Sequence, residues 1–303
     1  MYYLFFGFLY IISLLPFWIL YLLSDFFYFL LYYIIGYRRA VVAKNLLTAF
    51  PERSEKERRA IAKKFYRNFT DNWIESIKLL SISEKELDKH VTYDYTVPME
   101  FYRQGKSCQL HLGHLFNWEI ANTNVTQKTP YKNLTVYTPI SSKSIDRLFK
   151  YMRSRFGTGL LASNNMSKDM LPYRNTQYCI ALVADQNSSR PQKCYWLNFF
   201  GVPTGFMQGP EKGGRYSNIP MAYAEFSKPR RGHYHIQCYL LSDNPASVKE
   251  GELTEKYVRM LEASIRKHPE LYLWTHKRWK NEWKGEYKKL WIDSTAPTPG
   301  SVQ

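Results

Sequence analysis

One short segment of the chain combines a histidine and a glutamate in a setting that suits acid–base chemistry. Residues 108–119 read Cys-Gln-Leu-His-Leu-Gly-His-Leu-Phe-Asn-Trp-Glu, so an apolar run ends at His114 and Glu119 follows five residues later. On a single α-helix this spacing separates two side chains by about 140°, which prevents them from sharing a face. A histidine in a strand-to-helix turn can instead meet a glutamate in the first helical turns. The pattern therefore predicts His114 as a general base that Glu119 orients and keeps basic.

This chemistry needs no serine or cysteine nucleophile, because a hydroxyl of the substrate itself would attack once His114 removes its proton. The N-terminus of the helix that follows His114 is a further candidate element of the site. Its backbone dipoles favour negative charge, so it would help to bind an anionic group or a developing oxyanion.

Two other interpretations of the segment compete with this one. A histidine and a glutamate at such short spacing often occur together by chance. His111, His114 and Glu119 also offer three side chains that could bind a metal ion. On an extended strand, however, His111 and His114 point to opposite faces. We therefore predict no metal site and no cofactor.

The hydrophobic pattern predicts the elements that must position these residues. From about residue 100, short apolar runs alternate with helical segments, which is typical of an α/β fold with a mixed, mostly parallel sheet flanked by helices. The run 233–241 alternates in polarity, as an edge or antiparallel strand does. Upstream, the capping boxes Ser54-x-x-Glu57 and Ser83-x-x-Glu86 predict two helix starts. The predicted strands are 107–112, 134–139, 177–184, 194–200, 219–226 and 233–241.

The first 36 residues differ from the rest of the chain. They contain fifteen aromatic residues and one charged residue, Asp25. The stretch is long enough to cross about 30 Å of hydrocarbon as a helix. Pro16 and Asp25 would either kink this helix or divide it into a spanning part and an interfacial part. Basic residues follow at 38, 39 and 44. By the positive-inside tendency, they predict that the chain after residue 36 lies on the cytoplasmic side of the membrane.

These observations divide the chain into four parts. Residues 1–36 are predicted to be an N-terminal membrane helix that anchors the protein, 37–95 a small helical region, 96–290 the α/β domain and 291–303 a C-terminal tail. The chain carries a formal net charge of +16, which favours anionic lipid or an acidic protein as a partner. Nucleic acid is not expected, because the charge is dispersed and no nucleic-acid-binding motif is present. The four cysteines form no CxxC pair, which favours a reducing compartment.

Several blocks of residues are spread from about residue 10 to residue 285. Besides the apolar N-terminus, the blocks are Tyr37-Arg-Arg39, Asn45-Leu46, Phe50-Pro51, the segment from His114 to Glu119, Met152-Arg-Ser-Arg-Phe-Gly157, Ala184-Asp-Gln186, Phe199-Phe-Gly-Val-Pro203, Gly209-Pro210 and His268-Pro-Glu-Leu-Tyr-Leu-Trp-Thr-His-Lys-Arg278. In their order and spacing, more than in any single block, the chain resembles the bacterial lipid A late acyltransferases, the lauroyl/myristoyl-transferase type of the lysophospholipid acyltransferase superfamily.

The resemblance implies an acyltransferase at the bacterial inner membrane, with its catalytic domain on the cytoplasmic side. Acyl carrier protein would donate a fatty acyl group as a thioester. A hydroxyl of a lipid A precursor, a phosphorylated glycolipid, would accept it. A different lysolipid acceptor, of the lysophosphatidic or ornithine type, and a non-catalytic membrane tether remain alternatives.

The resemblance also implies roles for individual residues. His114 would be the base and Glu119 would orient it, while Arg155 matches the functional arginine of the family, with Arg153 a close second possibility. The residues expected to contact substrate are Asn117, Arg155, Asp185, Gly201 and Arg278. For four of them a role without substrate contact is also open: Arg155 would be a solvated helix arginine, Asp185 would cap the next segment, Gly201 would allow a turn, and Arg278 would be a surface charge. The chain departs from the family pattern at Phe116-Asn117 and at Thr204-Gly-Phe206.

Overall fold

The computed structural model describes residues 2–294 and 296–297, so most of the tail predicted at 291–303 lies outside the described residues. The helices are α1 (Tyr2–Leu14), α2 (Phe17–Phe29), α3 (Arg39–Ala49), α4 (Glu55–Lys78), α5 (Glu84–Leu87), α6 (Thr96–Arg103), α7 (Trp118–Lys128), α8 (Lys143–Ser154), α9 (Met166–Asp169), α10 (Gly209–Tyr216) and α11 (Glu252–Lys267). The strands are β1 (Val91–Asp94), β2 (Cys108–Leu112), β3 (Lys132–Tyr137), β4 (Gly159–Ala162), β5 (Tyr178–Val183), β6 (Cys194–Phe199), β7 (Val202–Met207), β8 (Met221–Arg230) and β9 (His233–Ser242).

Seven strands form the main sheet in the order β1-β9-β8-β2-β5-β3-β4. All neighbouring pairs are parallel except β8 and β9, which are antiparallel. Every residue of the central strand β2 is buried, as expected for a parallel strand covered on both faces. The predicted fold class, a mixed and mostly parallel sheet flanked by helices, is confirmed.

The sheets differ from the sequence-based prediction in several details, and β4 and β7 form where no strand was predicted. Val91–Asp94 lies in the region predicted to be helical but forms the edge strand β1, paired with β9. The run 194–200 does not join the main sheet, because β6 pairs with β7 in a separate antiparallel hairpin. Strand β9 is antiparallel to β8, as its alternating polarity suggested, but β1 covers its outer side.

The capping box at Ser54 forms as predicted and fixes the start of the long helix α4. The Ser54 backbone N–H donates to Glu57 Oε2 at 2.8 Å, and the Glu57 N–H donates to Ser54 Oγ at 3.3 Å. From there α4 buries Phe65, Tyr66 and Phe69 in the core. Helix α4 thereby becomes a support on which the N-terminal segment packs.

Pro16 divides the apolar N-terminal segment into two helices, α1 and α2, whereas Asp25 lies within α2. Proline lacks a backbone N–H and clashes with the preceding turn, so a helix interior rarely tolerates it. After Pro16, α2 continues through a π-helical turn, and Phe17–Ile35 is long and apolar enough to cross a membrane, judged by length and composition alone.

Candidate active site

His114 lies just past the carboxyl end of β2, in a turn with little free space. A Cβ atom on the preceding residue, Gly113, would lie 2.3 Å from Leu261 Cδ1, so only glycine fits there without a shift of Leu261. The segment after α11 holds the turn from the other side. Leu273 N–H donates to the His114 carbonyl and Phe116 N–H donates to the Leu271 carbonyl, both at 3.0 Å. Hydrogen bonds to the segment after α11 therefore fix the backbone of the turn at His114 and at Phe116.

The first carboxylate beside His114 is that of Asp185. This residue follows β5, the parallel neighbour of β2, so both residues emerge at the same edge of the sheet. His114 Nδ1 lies 2.5 Å from Asp185 Oδ1, and the His114 backbone N–H donates to Asp185 Oδ2 at 3.1 Å. A carboxylate accepts hydrogen bonds only, so Nδ1 carries the proton.

The opposite ring nitrogen of His114 is consequently left as a base. The side-chain amide nitrogen of Gln186 lies 3.1 Å from His114 Nε2 and donates to its lone pair. The imidazole is thus held in one tautomer by Asp185, with Nε2 able to accept a proton. This is the arrangement that a general base requires.

Asp185 is buried, yet its charge is favoured. Burial alone would raise the pKa of the Asp185 carboxyl, but its pairing with His114, the two hydrogen bonds that it accepts from His114 and the Arg278 charge lower this pKa below its ordinary value. Arg278 is only 1% exposed and donates to Asn187 Oδ1 at 3.1 Å and to the Gly205 carbonyl at 3.0 Å. The Arg278 guanidinium is therefore enclosed by protein, and its contact with substrate stays a prediction.

The predicted hydrogen bond between His114 and Glu119 is wrong in this structure. Among the described residues, the Glu119 carboxylate is bound instead by Arg153 of α8, with Nε to Oε2 at 2.9 Å and the terminal nitrogen to Oε1 at 2.5 Å. Trp118 Nε1 donates to the same carboxylate at 3.2 Å. Glu119 lines the same cavity as His114, but its carboxylate binds Arg153, and Asp185 is the carboxylate that contacts the imidazole.

Asn117 has a structural role at the start of α7. Its side-chain oxygen accepts from the Glu119 and Ile120 backbone N–H groups, and its amide donates to Glu75 Oε2 at 2.9 Å. It is only 2% exposed. The Glu119 and Ile120 N–H groups are already used by this cap, so the expected role of this helix end in binding an oxyanion finds no support here.

Two other residues expected at the substrate lie elsewhere. The Arg155 guanidinium donates to the Leu79 carbonyl at 2.9 Å and to the Ile82 carbonyl at 2.6 Å, whereas Arg153 reaches the pocket. Gly201 has a φ of +74° in the turn between β6 and β7, where its missing side chain allows the turn. Direct substrate contact by either residue stays a prediction.

A cavity of about 420 Å³ opens beside His114 and has two chemically distinct parts. Its apolar part extends between the sheet and α7. The polar part is lined by His114, Trp118, Glu119, Arg153, Gln186 and Asn187. The apolar part is lined by Leu110, Leu112, Val125, Val183, Phe226 and Ile236, among others. Such a cavity can take a molecule with a reactive polar end and a hydrocarbon tail.

The model of one protein family, described as bacterial lipid A biosynthesis acyltransferase, matches residues 1–281. The chain belongs to this family. No curated protein matches the sequence. Membership identifies the chain as an acyltransferase of lipid A biosynthesis and confirms the family that the sequence blocks resemble.

The two other histidines near the acyltransferase site are held neutral. Burial lowers the pKa of His111 to about 4, and this side chain packs against Tyr257 on the other face of β2. Burial and the Arg278 charge lower the pKa of His276 to about 4, and its Nε2 accepts the Asn187 N–H at 3.1 Å. In the part of the chain that the structure describes, no three His, Cys, Asp or Glu side chains are arranged to hold a metal ion.

Sequence reasoning missed Gln186 and ranked Arg153 below Arg155. Both omissions had a signal in the sequence. Gln186 directly follows Asp185 at the carboxyl end of an apolar strand, where open α/β sheets place their ligand-binding residues. Arg153 lies two residues before Arg155 in a helix, so the two side chains point in very different directions and only one can face the pocket.

Replacing Arg153 with methionine is expected to lower the free energy of unfolding by about 3–5 kcal/mol, because the Glu119 charge would remain buried without its partner. The Glu119 side chain is only 5% exposed. Denaturant unfolding of the purified protein measures this change. Lys143→Met, an exposed lysine on the same helix, is the matched control and should change stability by less than about 0.5 kcal/mol.

Adding Glu119→Gln to Arg153→Met should restore part of the lost stability, since the double variant no longer buries an unpaired charge. A double variant that loses the full sum of the two single effects would contradict the coupling of Arg153 to Glu119.

Proposed function

We propose that this acyltransferase moves a fatty acyl group from an acyl carrier protein thioester to a hydroxyl of a lipid A precursor, with His114 as the general base. The observation that carries the proposal is the geometry of the imidazole. Asp185 holds Nδ1 protonated at 2.5 Å, which leaves Nε2 as a base at the edge of a cavity with an apolar interior.

The reaction follows from these groups. His114 Nε2 takes the proton of the acceptor hydroxyl while the hydroxyl oxygen attacks the thioester carbonyl carbon. The bond from that carbon to sulfur then breaks, and the proton passes from His114 to the leaving thiolate. The products are an ester of the acceptor and the free thiol of the carrier. Asp185 stabilises the imidazolium that exists between the two proton transfers.

The cavity beside His114 suits the acyl chain of the donor. Its interior is apolar, and each buried methylene of a chain contributes about 0.8 kcal/mol to binding. Arg153 lies at the polar end of the cavity, where its positive charge is held by Glu119. A guanidinium there suits the phosphate or carbonyl oxygen of a substrate.

The net positive charge of the chain supports the proposed partners, and its apolar N-terminal segment supports the proposed location at the membrane. The net charge of +16 favours an acidic carrier protein and anionic lipid as partners. The apolar helices α1 and α2 support attachment to the bacterial inner membrane, and the basic residues after them favour a catalytic domain on the cytoplasmic side.

The proposal is tested by incubating the purified full chain with acyl carrier protein thioesters of several chain lengths and a phosphorylated lipid A precursor. Mass spectrometry is expected to show a product heavier by one acyl group that is released by mild base, as an ester is. Lysophosphatidic acid serves as the alternative acceptor. Transfer to lysophosphatidic acid alone would overturn the choice of acceptor, and no transfer to either by the folded chain would overturn the proposed reaction.

A further inference from the structure

Helix α4 holds a buried carboxylate that contacts the start of α7. Glu75 is only 1% exposed. Its Oε2 atom accepts hydrogen bonds from Asn117 Nδ2 at 2.9 Å and from the Tyr234 hydroxyl at 2.6 Å, and its Oε1 atom accepts from the Tyr21 hydroxyl at 3.0 Å. These donors belong to the start of α7, to β9 and to α2. One carboxylate therefore joins three elements that are far apart in sequence.

A second buried carboxylate on α4 has different partners. Asp71 lies one turn before Glu75 and pairs with Lys228 at 3.0 Å and with Arg231 at 2.7 Å, which is how proteins usually hold a buried charge. Among the residues that the structure describes, the hydrogen-bond partners of Glu75 are all neutral. Glu75 therefore serves as a hydrogen-bond acceptor and not as half of an ion pair.

The contact with Glu75 fixes the direction of the Asn117 amide, whose two ends differ. Its nitrogen can only donate and its oxygen can only accept. The nitrogen is directed to Glu75, so the oxygen faces α7, where it accepts from the backbone N–H groups of Glu119 and Ile120 at 3.0 and 3.2 Å. If the amide turned over, its nitrogen would face these two donors and the helix cap would be lost. Glu75 thereby determines whether Asn117 caps α7.

The first turn of α7 carries side chains that shape the polar end of the cavity. The Trp118 ring packs edge-on against the His114 imidazole, with ring centroids 5.3 Å apart. The next residue, Glu119, holds Arg153 through hydrogen bonds to both of its carboxylate oxygens. A shift of this turn would move the ring beside the base and the guanidinium together. A displacement of about 1 Å at a reacting centre can lower the rate about 10²-fold.

We propose that Glu75 is a positioning residue for acyl transfer, which acts through the Asn117 amide on the first turn of α7. Its carboxylate orients the amide, and the amide caps the helix. The capped helix in turn keeps Trp118 against His114 and Glu119 on Arg153. The inference rests on the proposed function and adds to that site a residue of α4 that does not line the cavity.

Two conservative replacements of Glu75 separate the reach of the side chain from its charge. Glu75→Gln keeps the reach, so its oxygen can still accept from Asn117 and Tyr234 while its nitrogen donates to the Tyr21 hydroxyl. Glu75→Asp keeps the carboxylate but withdraws it by one methylene from Asn117. We expect kcat for transfer from acyl carrier protein thioester to stay within about threefold of wild type in Glu75→Gln and to fall about 10–10²-fold in Glu75→Asp. A Glu75→Gln protein that is folded by circular dichroism and as slow as Glu75→Asp would contradict the proposal.

The control is Glu211→Asp, which shortens another buried carboxylate at the start of a helix. Glu211 is 1% exposed and accepts from the Gly251 N–H at 2.6 Å and from the Thr254 N–H at 2.9 Å, where α11 begins. It does not line the cavity beside His114, so its shortening should leave kcat of the folded protein unchanged. Equal losses of kcat in Glu211→Asp and Glu75→Asp would show a general effect on packing and overturn the positioning role.

A double-mutant cycle and hydrogen exchange test the route through Asn117. Glu75→Asp should not slow an Asn117→Ala protein further, because the amide on which it acts is already absent. Exchange of the Glu119 and Ile120 amides should be faster in Glu75→Asp and unchanged in Glu75→Gln. Additive losses of kcat, or wild-type exchange in Glu75→Asp, would refute this route. Exchange is measured without substrate, so a failure of this inference and a failure of the proposed reaction remain distinguishable.

Discussion

Replacing His114 with alanine is expected to lower the rate of acyl transfer by about 10²–10⁴-fold, because a positioned general base contributes an effect of that size. The loss should appear in kcat more than in KM, since the imidazole takes its proton in the transition state and only borders the cavity in the ground state. Transfer rates from acyl carrier protein thioester, measured at saturating acceptor, give the result.

The control for this experiment is His235→Ala. His235 lies on β9, where its Nδ1 is 2.8 Å from the Thr92 hydroxyl and its side chain does not line the cavity. Its replacement should leave the transfer rate within about twofold of wild type, since surface changes remote from the site alter little. A His114→Ala protein that folds and transfers acyl groups at the wild-type rate would contradict the assignment of the base.

Replacing Asp185 with asparagine is expected to lower kcat by about 10²–10⁴-fold, although the new side chain has nearly the same shape. The asparagine amide can donate to His114 Nδ1, which moves the imidazole proton to Nε2 and removes the lone pair that accepts the substrate proton. Asp185 is therefore a positioning residue, and its effect depends on the tautomer of His114.

Nitrogen-15 NMR of histidine-labelled protein gives a readout that a merely structural role would not change. In wild type the His114 proton should be on Nδ1, in Asp185→Asn on Nε2, and in Glu119→Gln again on Nδ1. The double variant His114→Ala with Asp185→Asn should be no slower than His114→Ala alone, because the two residues act as a unit. A tautomer change in Glu119→Gln and none in Asp185→Asn would restore Glu119 as the orienting carboxylate.

Local sequence patterns correctly predicted much of this molecule. The capping box at Ser54 and Glu57, the break at Pro16 and the apolar run before His114 depend on residues within a few positions of one another. Hydrogen bonds and steric limits that act over one helical turn or one strand can be predicted directly from the local sequence. The family, too, was recognisable from the order of its blocks, and the match over residues 1–281 confirms it.

The errors arose where the structure of an element depends on the elements that pack beside it. Strand β1 is short and has little pattern of its own, and it is a strand because β9 offers it a free edge. The run 194–200 has an ordinary strand pattern, and only its pairing with β7 places it outside the main sheet. Tertiary context overrides local propensity in both cases.

The sequence by itself determined the chemistry available to this protein: a histidine at a strand end, a glutamate five residues after it, an aspartate at the end of another predicted strand and an apolar N-terminal segment. Only the tertiary structure decided which carboxylate meets the histidine. His114 and Asp185 are 71 residues apart, and they touch because β2 and β5 are adjacent parallel strands whose ends meet at one edge of the sheet. Glu119 is far closer in sequence but binds Arg153, because α8 packs beside α7. Strand order and helix packing depend on contacts between segments that are distant in sequence. The spacing of residues along the chain does not specify these contacts.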